Sequence, residues 1–407
     1  MPRPSSTPLV TADLIGRPEF ERFCEQVFAP LPRRDQKHKA SAYVAGLLRA
    51  GGRKSLRNIA SAAGSDVNEQ SLHHFVSEST WPWRSVRKAL ARHLSVDRTA
   101  HALVVQPWET PAAGRPDVEP VGGRPQAFGL WAATDRAVLP LSWWRSPDAA
   151  RVVGADFRVA RRREVALVEA YLDAAPASGT PVPLVVDARG LSVGAVLRRL
   201  GPQVPTALRI AADQELVVTE PAWADGRESS VQAQQVAWRS RNLRRPTAVS
   251  DDAGGETVTL VLSSLRVQVP EARSAGSPLA ADLVCIGEPR RPWPQQLWLM
   301  AGPQPDVELL LYLASLLDHA RTAPDLTSLA LGLHDYRGRS DDGFHRHATL
   351  VGVAQAYLAV HGRAGQVSLQ SVVREPNVEV PVVATDPPRP RRDLCQSTVR
   401  RTARRSG

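Results

Sequence analysis

Cysteine is scarce in this chain: Cys24, Cys285 and Cys395 stand far apart and form no CxxC pair. That spacing excludes a disulfide framework and offers no zinc or dithiol motif; it fits a reducing compartment. Lysine is nearly missing as well, present only as Lys37, Lys39, Lys54 and Lys88. Long apolar runs are lacking too. The longest, Leu309–Leu317 and Leu350–Val360, fall well short of the roughly 20 residues a membrane-spanning helix requires. Met1–Phe20 is rich in Pro, Ser and Thr and holds no apolar stretch of the signal-peptide kind. These absences lead us to expect a cytoplasmic protein with no membrane partner.

The sequence does have an ordinary globular composition, 43% hydrophobic and 23% charged over 407 residues. Such a chain buries a sizeable core and is long enough for about two or three domains. Lys+Arg 51 against Asp+Glu 41 leaves a formal charge of +10, almost all of it carried by arginine. The planar guanidinium matches phosphate oxygens, so the charge points to a polyanion and first to nucleic acid. A GC-rich coding sequence also favours arginine, and charge alone does not decide. Within the Pro/Arg-rich tail, 376–407, the arginines could touch phosphates but could not read sequence.

Residues 1–32 read as a lead-in followed by one amphipathic helix, Glu19–Phe28, ended by Pro30 and Pro32. Residues 33–98 read as a helical region broken mainly at Gly64. Short β-branched runs then alternate with helices: Ala102–Val105 and Leu184–Val186 as strands, Glu164–Ala174 and Val193–Leu200 as helices. This alternation predicts an α/β core with its first part over 99–204. Residues 205–300 carry several strands with Gly/Pro/Ser turns and little helix, a mostly β insertion. Residues 301–375 return to helix at Asp306–Ala320 and His347–Val360.

Within the helical region, Leu56, Ile59, Ala60 and Ala63 recur at helical spacing and Gly64 can supply the positive φ of a helix end. A polar turn, Ser65–Asn68, leads to a second stripe of Leu72, Phe75 and Val76. Two helices about a glycine-bearing turn form a helix-turn-helix outline, though ordinary helical hairpins share it. As a DNA-binding motif it would turn Gln70, Ser71, His73 and His74 toward base edges, with Arg53, Lys54 and Arg57 near phosphates. Trp81-Pro-Trp83 reads as a packed corner.

Val182–Asp187 is a buried, parallel-type strand ending in aspartate before a glycine turn and a helix. Ligands and metals gather at such carboxyl ends, and Asp187 is suited to Mg²⁺; a loop salt bridge with Arg189 is the competing use. A two-metal phosphodiester site needs at least three converging carboxylates. The strand Leu103–Val105 ends instead in Gln106 and Pro107, with Glu109 offset beyond the proline.

The order of these features resembles the insertion-sequence transposases with an Asp-Asp-Glu (DDE) active site on an RNase H-like core and a β insertion before the third acid. The resemblance rests on Phe23-Cys-Glu-Gln-Val-Phe28-Ala-Pro-Leu-Pro-Arg33, Gly52-Arg-Lys-Ser-Leu-Arg-Asn-Ile59, Glu69-Gln-Ser-Leu-His-His-Phe75, Gly332-Leu-His-Asp-Tyr336-Arg-Gly-Arg339 and Gly343-Phe-His-Arg-His347-Ala-Thr-Leu350. It implies an RNase H-like core interrupted by the β insertion and preceded by a helix-turn-helix-like region. It implies double-stranded DNA as partner, transposon-end inverted repeats among the targets, Mg²⁺ as cofactor if the protein is active, and compatibility with a homodimer. It also implies where the acids belong. The first falls on Gln106 or Pro107, the second on Asp187, and the third on or near Arg321. One acid of three is kept. Substitutes could come from Glu109, Glu308, Asp318 or Asp325, and Arg346 would contact the DNA backbone. The leading expectation is a DNA-binding protein with weak or no strand cleavage. An active transposase using substitute carboxylates and a fold reused for a small molecule are the alternatives.

Overall fold

The computed structural model describes residues 15–16, 18–64, 66–97, 100–108, 127–134, 138–145, 156–175, 181–218, 230–250, 257–270, 279–303, 310–311, 313–317, 330–336, 338 and 340–361. The chain divides into two units, 1–372 and 373–407. The arginine-rich tail belongs to the second and lies outside the described residues, as do Glu109, Glu308, Asp318, Arg321 and Asp325.

Five helices open the chain: α1 (Pro18–Val27), α2 (Arg34–Arg49), α3 (Leu56–Ala63), α4 (Glu69–His73, running on into a π-helical turn, His74–Glu78) and α5 (Trp83–Asp97). Their apolar periodicity is what drives them together. In α1, Phe20, Phe23, Cys24 and Val27 are all buried, on one face at helical spacing. α2 and α3 touch closely because position 46 is glycine; a Cβ there would stand 2.5 Å from the carbonyl oxygen of Ile59.

The core sheet begins with β1 (Ala100–Trp108), β2 (Ala127–Thr134) and β3 (Val138–Arg145), an antiparallel meander. After α6 (Asp156–Ala174), β4 (Leu184–Asp187) pairs parallel with β1; after α7 (Val193–Leu200), β5 (Thr206–Arg209) pairs parallel with β4. The spatial order 3-2-1-4-5, with α6 and α7 as crossovers, is consistent with the RNase H-like core that the sequence led us to expect. β2 and β3 are additions to the strands read from sequence. Pro140 interrupts the pattern of β3, and it is tolerated where the β2–β3 register shifts beside Trp131. Trp131 and Trp143 then pack edge to face at 5.1 Å.

The β-rich stretch extends this same sheet. β6 (Glu215–Val218), β7 (Val231–Gln232), α8 (Ala233–Arg239), β8 (Arg245–Ser250), β9 (Thr257–Val269), β10 (Leu279–Gly287) and β11 (Gln296–Ala301) follow in the chain. β11 adds antiparallel to β5, and β10, β9, β6 and β7 continue outward, with β8 also on β9.

The last described helix, α9 (Asp341–His361), starts six residues before the start read from sequence. Every residue from Gly343 to Tyr357 is buried. A helix buried on all sides belongs inside a core, and α9 lies against α2, α5 and β3. Its contact with α2 is polar. The Tyr43 hydroxyl lies 2.9 Å from Nδ1 of His347, whose Nε2 is 2.9 Å from the Gly332 carbonyl oxygen. A carbonyl only accepts, so Nε2 carries the proton and Nδ1 accepts from Tyr43. Tyr43→Phe should therefore lower stability by about 1–2 kcal/mol in urea unfolding, since it strands a buried acceptor.

Candidate functional site

β1 and β4 run parallel with Val105 opposite Val186, so Gln106 and Asp187 stand side by side at the next step, at the carboxyl ends of both strands. This is where an α/β sheet opens to ligands. Gln106 is buried, and its amide Nε2 donates to the carbonyl oxygen of Leu317, at the end of the helical residues 313–317. Asp187 is buried too, and both of its carboxylate oxygens are taken by one arginine: Arg189 Nε on Oδ1 at 2.8 Å and Nη2 on Oδ2 at 2.5 Å. The Arg189 backbone N–H adds a third bond to Oδ1 at 3.3 Å. Arg209 lies opposite Asp187 on β5.

These donors do not fit a two-metal centre. Such a centre needs several anionic oxygens, whereas Asp187 is neutralised by a bidentate guanidinium and Gln106 brings no charge. Among the described residues no three His, Cys, Asp or Glu side chains come together as a metal-binding group. A second buried carboxylate, Glu164 on α6, is engaged by the Ser192 backbone N–H, which donates to its Oε1 at 2.8 Å at the start of α7.

The helix-turn-helix outline is present in altered form. Ser55 caps α3, accepting from the Asn58 N–H at 3.2 Å, and Gly64 ends it at φ +120°. The second helix, α4, is only five residues long before the backbone widens into the π turn. Gln70 is exposed, and so are His73 and His74, which lie 3.8 and 3.9 Å from Glu78. Ser71 is occupied otherwise than expected: it forms a capping box with Asn68, its N–H on Asn68 Oδ1 at 2.8 Å. Arg57 is exposed, and Arg53 is largely exposed with Asp335 at 3.6 Å.

Two residues expected on phosphates are inside. Lys54 is 4% exposed and its ammonium donates to the Ala50 carbonyl; burial lowers its pKa. Arg346 is 5% exposed, and its Nη1 donates to the carbonyl oxygens of Val76 at 3.1 Å and Ser77 at 3.4 Å. The widened turn leaves those carbonyls without helical partners, and a long basic side chain from α9 reaches them. Arg346 is thus engaged with the fold's own carbonyls, which lie 270 and 269 residues away, while Asp342, one turn back on α9, stands 3.8 Å from its Nη2. Trp81 and Trp83 form the packed corner expected: Trp81 stacks on Phe75 at 5.2 Å and Trp83 on His345 at 4.4 Å. A cavity of about 260 Å³ opens beside this region, lined among others by Arg53, Glu69, His73, Asp335 and Tyr336.

The most telling buried cation escaped sequence reasoning altogether. Arg87 on α5 is 3% exposed and joins α5, β3 and α9 through Thr349, the Trp143 carbonyl and His345. An arginine in an amphipathic helix reads as solvated until its tertiary neighbours are known.

Among the described residues, no helix is long and apolar enough to cross a membrane. No curated protein matches the chain. Residues 26–109, from α1 through the end of β1, match the family described as DDE superfamily endonuclease. DDE superfamily endonucleases act on DNA and generally use divalent metal. Taken with the α/β architecture and its N-terminal helices, that match supports the assignment of this chain to the DDE transposase family.

Proposed function

We propose that this protein binds double-stranded DNA through its basic N-terminal helices and cleaves it weakly or not at all. The family match suggests a transposase-like nuclease function. The observation carrying the proposal is the state of the cleft: the surviving acid, Asp187, is bidentate on Arg189, and its strand neighbour is the neutral, already bonded Gln106. Phosphoryl transfer depends on metal ions to stabilise the attacking and leaving oxygens, and this donor set would have to give up an ion pair to hold even one. In such a protein the cytoplasmic role is that of a repressor or a competitor for transposon ends, and a dimer would suit paired ends.

Arg53 and Arg57, with Gln70, His73 and His74 beyond them, form the exposed face for duplex DNA. Each phosphate neutralised releases counterions, so binding should weaken steeply with salt. In gel shifts across a salt titration, Arg53→Ala with Arg57→Ala should lower the slope of log K against log salt by about 2. Absence of wild-type binding at low salt would remove the reading. For cleavage, nicking of an inverted-repeat end in Mg²⁺ or Mn²⁺ should be the same for the wild type and Asp187→Ala.

One observation favours a second reading, an active enzyme with a substitute acid. Gln106 contacts Leu317, which immediately precedes Asp318 in the chain. Metal-dependent nicking abolished by Asp318→Ala would establish it.

A further inference from the structure

The described residues expose three large hydrophobic side chains, Leu172, Trp238 and Trp293, and the two tryptophans touch each other. Their rings stack at 4.6 Å with an interplanar angle of 26°, at 40% and 38% exposure. The Arg241 guanidinium sits 4.7 Å from the Trp238 ring, so Trp238 is held between a cation and its partner ring. Arg244 ties the two segments together, its Nη1 donating to the Pro292 carbonyl at 2.7 Å. Around them, residues 238–245 and 288–295 supply Arg239, Arg241, Arg244, Arg245, Arg290 and Arg291 against a single acid, Glu288, which pairs with Arg291 at 3.0 Å.

The position of this patch follows from the register. β5 ends at Arg209, opposite Asp187 on β4 and Trp298 on β11, and β10 pairs with β11. Because β11 runs antiparallel to β5, the β10–β11 turn that carries Trp293 projects beyond the same edge of the sheet as Asp187. Three strand spacings separate β4 from β10, about 14 Å.

We infer that the Trp238–Trp293 pair and its arginines form a binding surface for unpaired nucleotides: a base stacks on the open side of Trp293 while arginines hold the flanking phosphates. Flat aromatic faces are of no use to a paired base, whose faces are already covered, but they suit single strands, where stacking and cationic grooves act together. An acidic protein would use the arginines and gain nothing from the electron-rich ring faces. The inference extends the DNA-binding reading above to a second surface and a different DNA state.

The test measures binding of the full chain to fluorescent oligothymidylate, to duplex DNA and to poly-glutamate. Trp238→Ala with Trp293→Ala should weaken oligothymidylate binding about tenfold or more and leave duplex binding and its salt slope unchanged. Trp293→Phe, which keeps an aromatic face, should retain most of the affinity, and an unchanged thermal melt would exclude misfolding. Arg241→Ala with Arg290→Ala should lower the salt slope for oligothymidylate. Unchanged single-strand affinity in the tryptophan variant would overturn the inference. So would an equal loss on duplex, which would indicate a general surface defect, or an equal loss on poly-glutamate, which would indicate an acidic-protein site. A change in oligomeric state in its place would mark the patch as a self-interface. If wild-type protein fails to bind duplex yet binds oligothymidylate through the tryptophans, the N-terminal reading falls and this one stands.

Discussion

Arg87→Ala is expected to destabilise the protein by about 2–4 kcal/mol, from the buried carbonyl left unpaired and the void left behind. The guanidinium is enclosed by three elements. Nε donates to Thr349 Oγ1 at 2.8 Å, and Nη2 donates to the Trp143 carbonyl at 2.9 Å and the His345 carbonyl at 3.2 Å. The ring of Trp83 lies 4.5 Å from the guanidinium carbon and that of Trp144 lies 5.1 Å away. Among the described residues no carboxylate hydrogen-bonds to it, and burial pulls the pKa down to about 9, so the group is still charged near neutrality. Truncation would strand the Trp143 carbonyl and open a void between α5, β3 and α9. Arg87→Met, which fills the space without charge, should cost less than the alanine variant. Guanidinium unfolding monitored by tryptophan fluorescence reads both. A loss below about 1 kcal/mol for alanine would mean the network holds nothing together.

Acid should destabilise the protein before its carboxylates titrate, and His347 is one principal cause. Complete burial pushes its pKa from 6.5 down to about 4. The fold therefore accepts the neutral imidazole, with Tyr43 on Nδ1 and the Gly332 carbonyl on Nε2. The unfolded chain binds this proton from about pH 6.5 downward, so it holds more protons than the native state between 6.5 and 4. Stability is thus complete above pH 6.5 and falls as pH drops toward 4, by on the order of 3 kcal/mol from this one group. His334, also lowered to about 4 by burial, acts in the same direction. Urea midpoints at pH 7, 5.5 and 4 should show the decline, and His347→Gln should flatten it. A pH-independent midpoint across that interval would contradict a buried neutral histidine.

The two predictions concern residues whose roles differ in how far sequence alone reveals them. His347 lies in the Gly343–Leu350 stretch that carries the family resemblance. Arg87 had no signal. The cleft shows the same division. That Asp187 ends a strand and that Arg189 could pair with it were legible, because each depends on residues a few positions apart. Lys54 and Arg346 looked like phosphate contacts, because a basic side chain ordinarily faces water. Their burial depends on carbonyls presented by Ala50, Val76 and Ser77, and for Arg346 on a π turn that no propensity announces. β2 and β3 were missed for a related reason. Pro140 and Gly129 break the alternation that identifies a strand, and only pairing across the meander makes them acceptable.

By itself, then, the order of residues determined the α/β class, the amphipathic helices and the strand ending in Asp187, since all of these are local patterns of polarity and backbone preference. Tertiary structure decided which cations are buried, which carbonyls they satisfy, and that the β-rich stretch continues the core sheet and carries its tryptophans to the edge where Asp187 lies. Those outcomes depend on contacts between residues tens to hundreds of positions apart, and no local pattern encodes them.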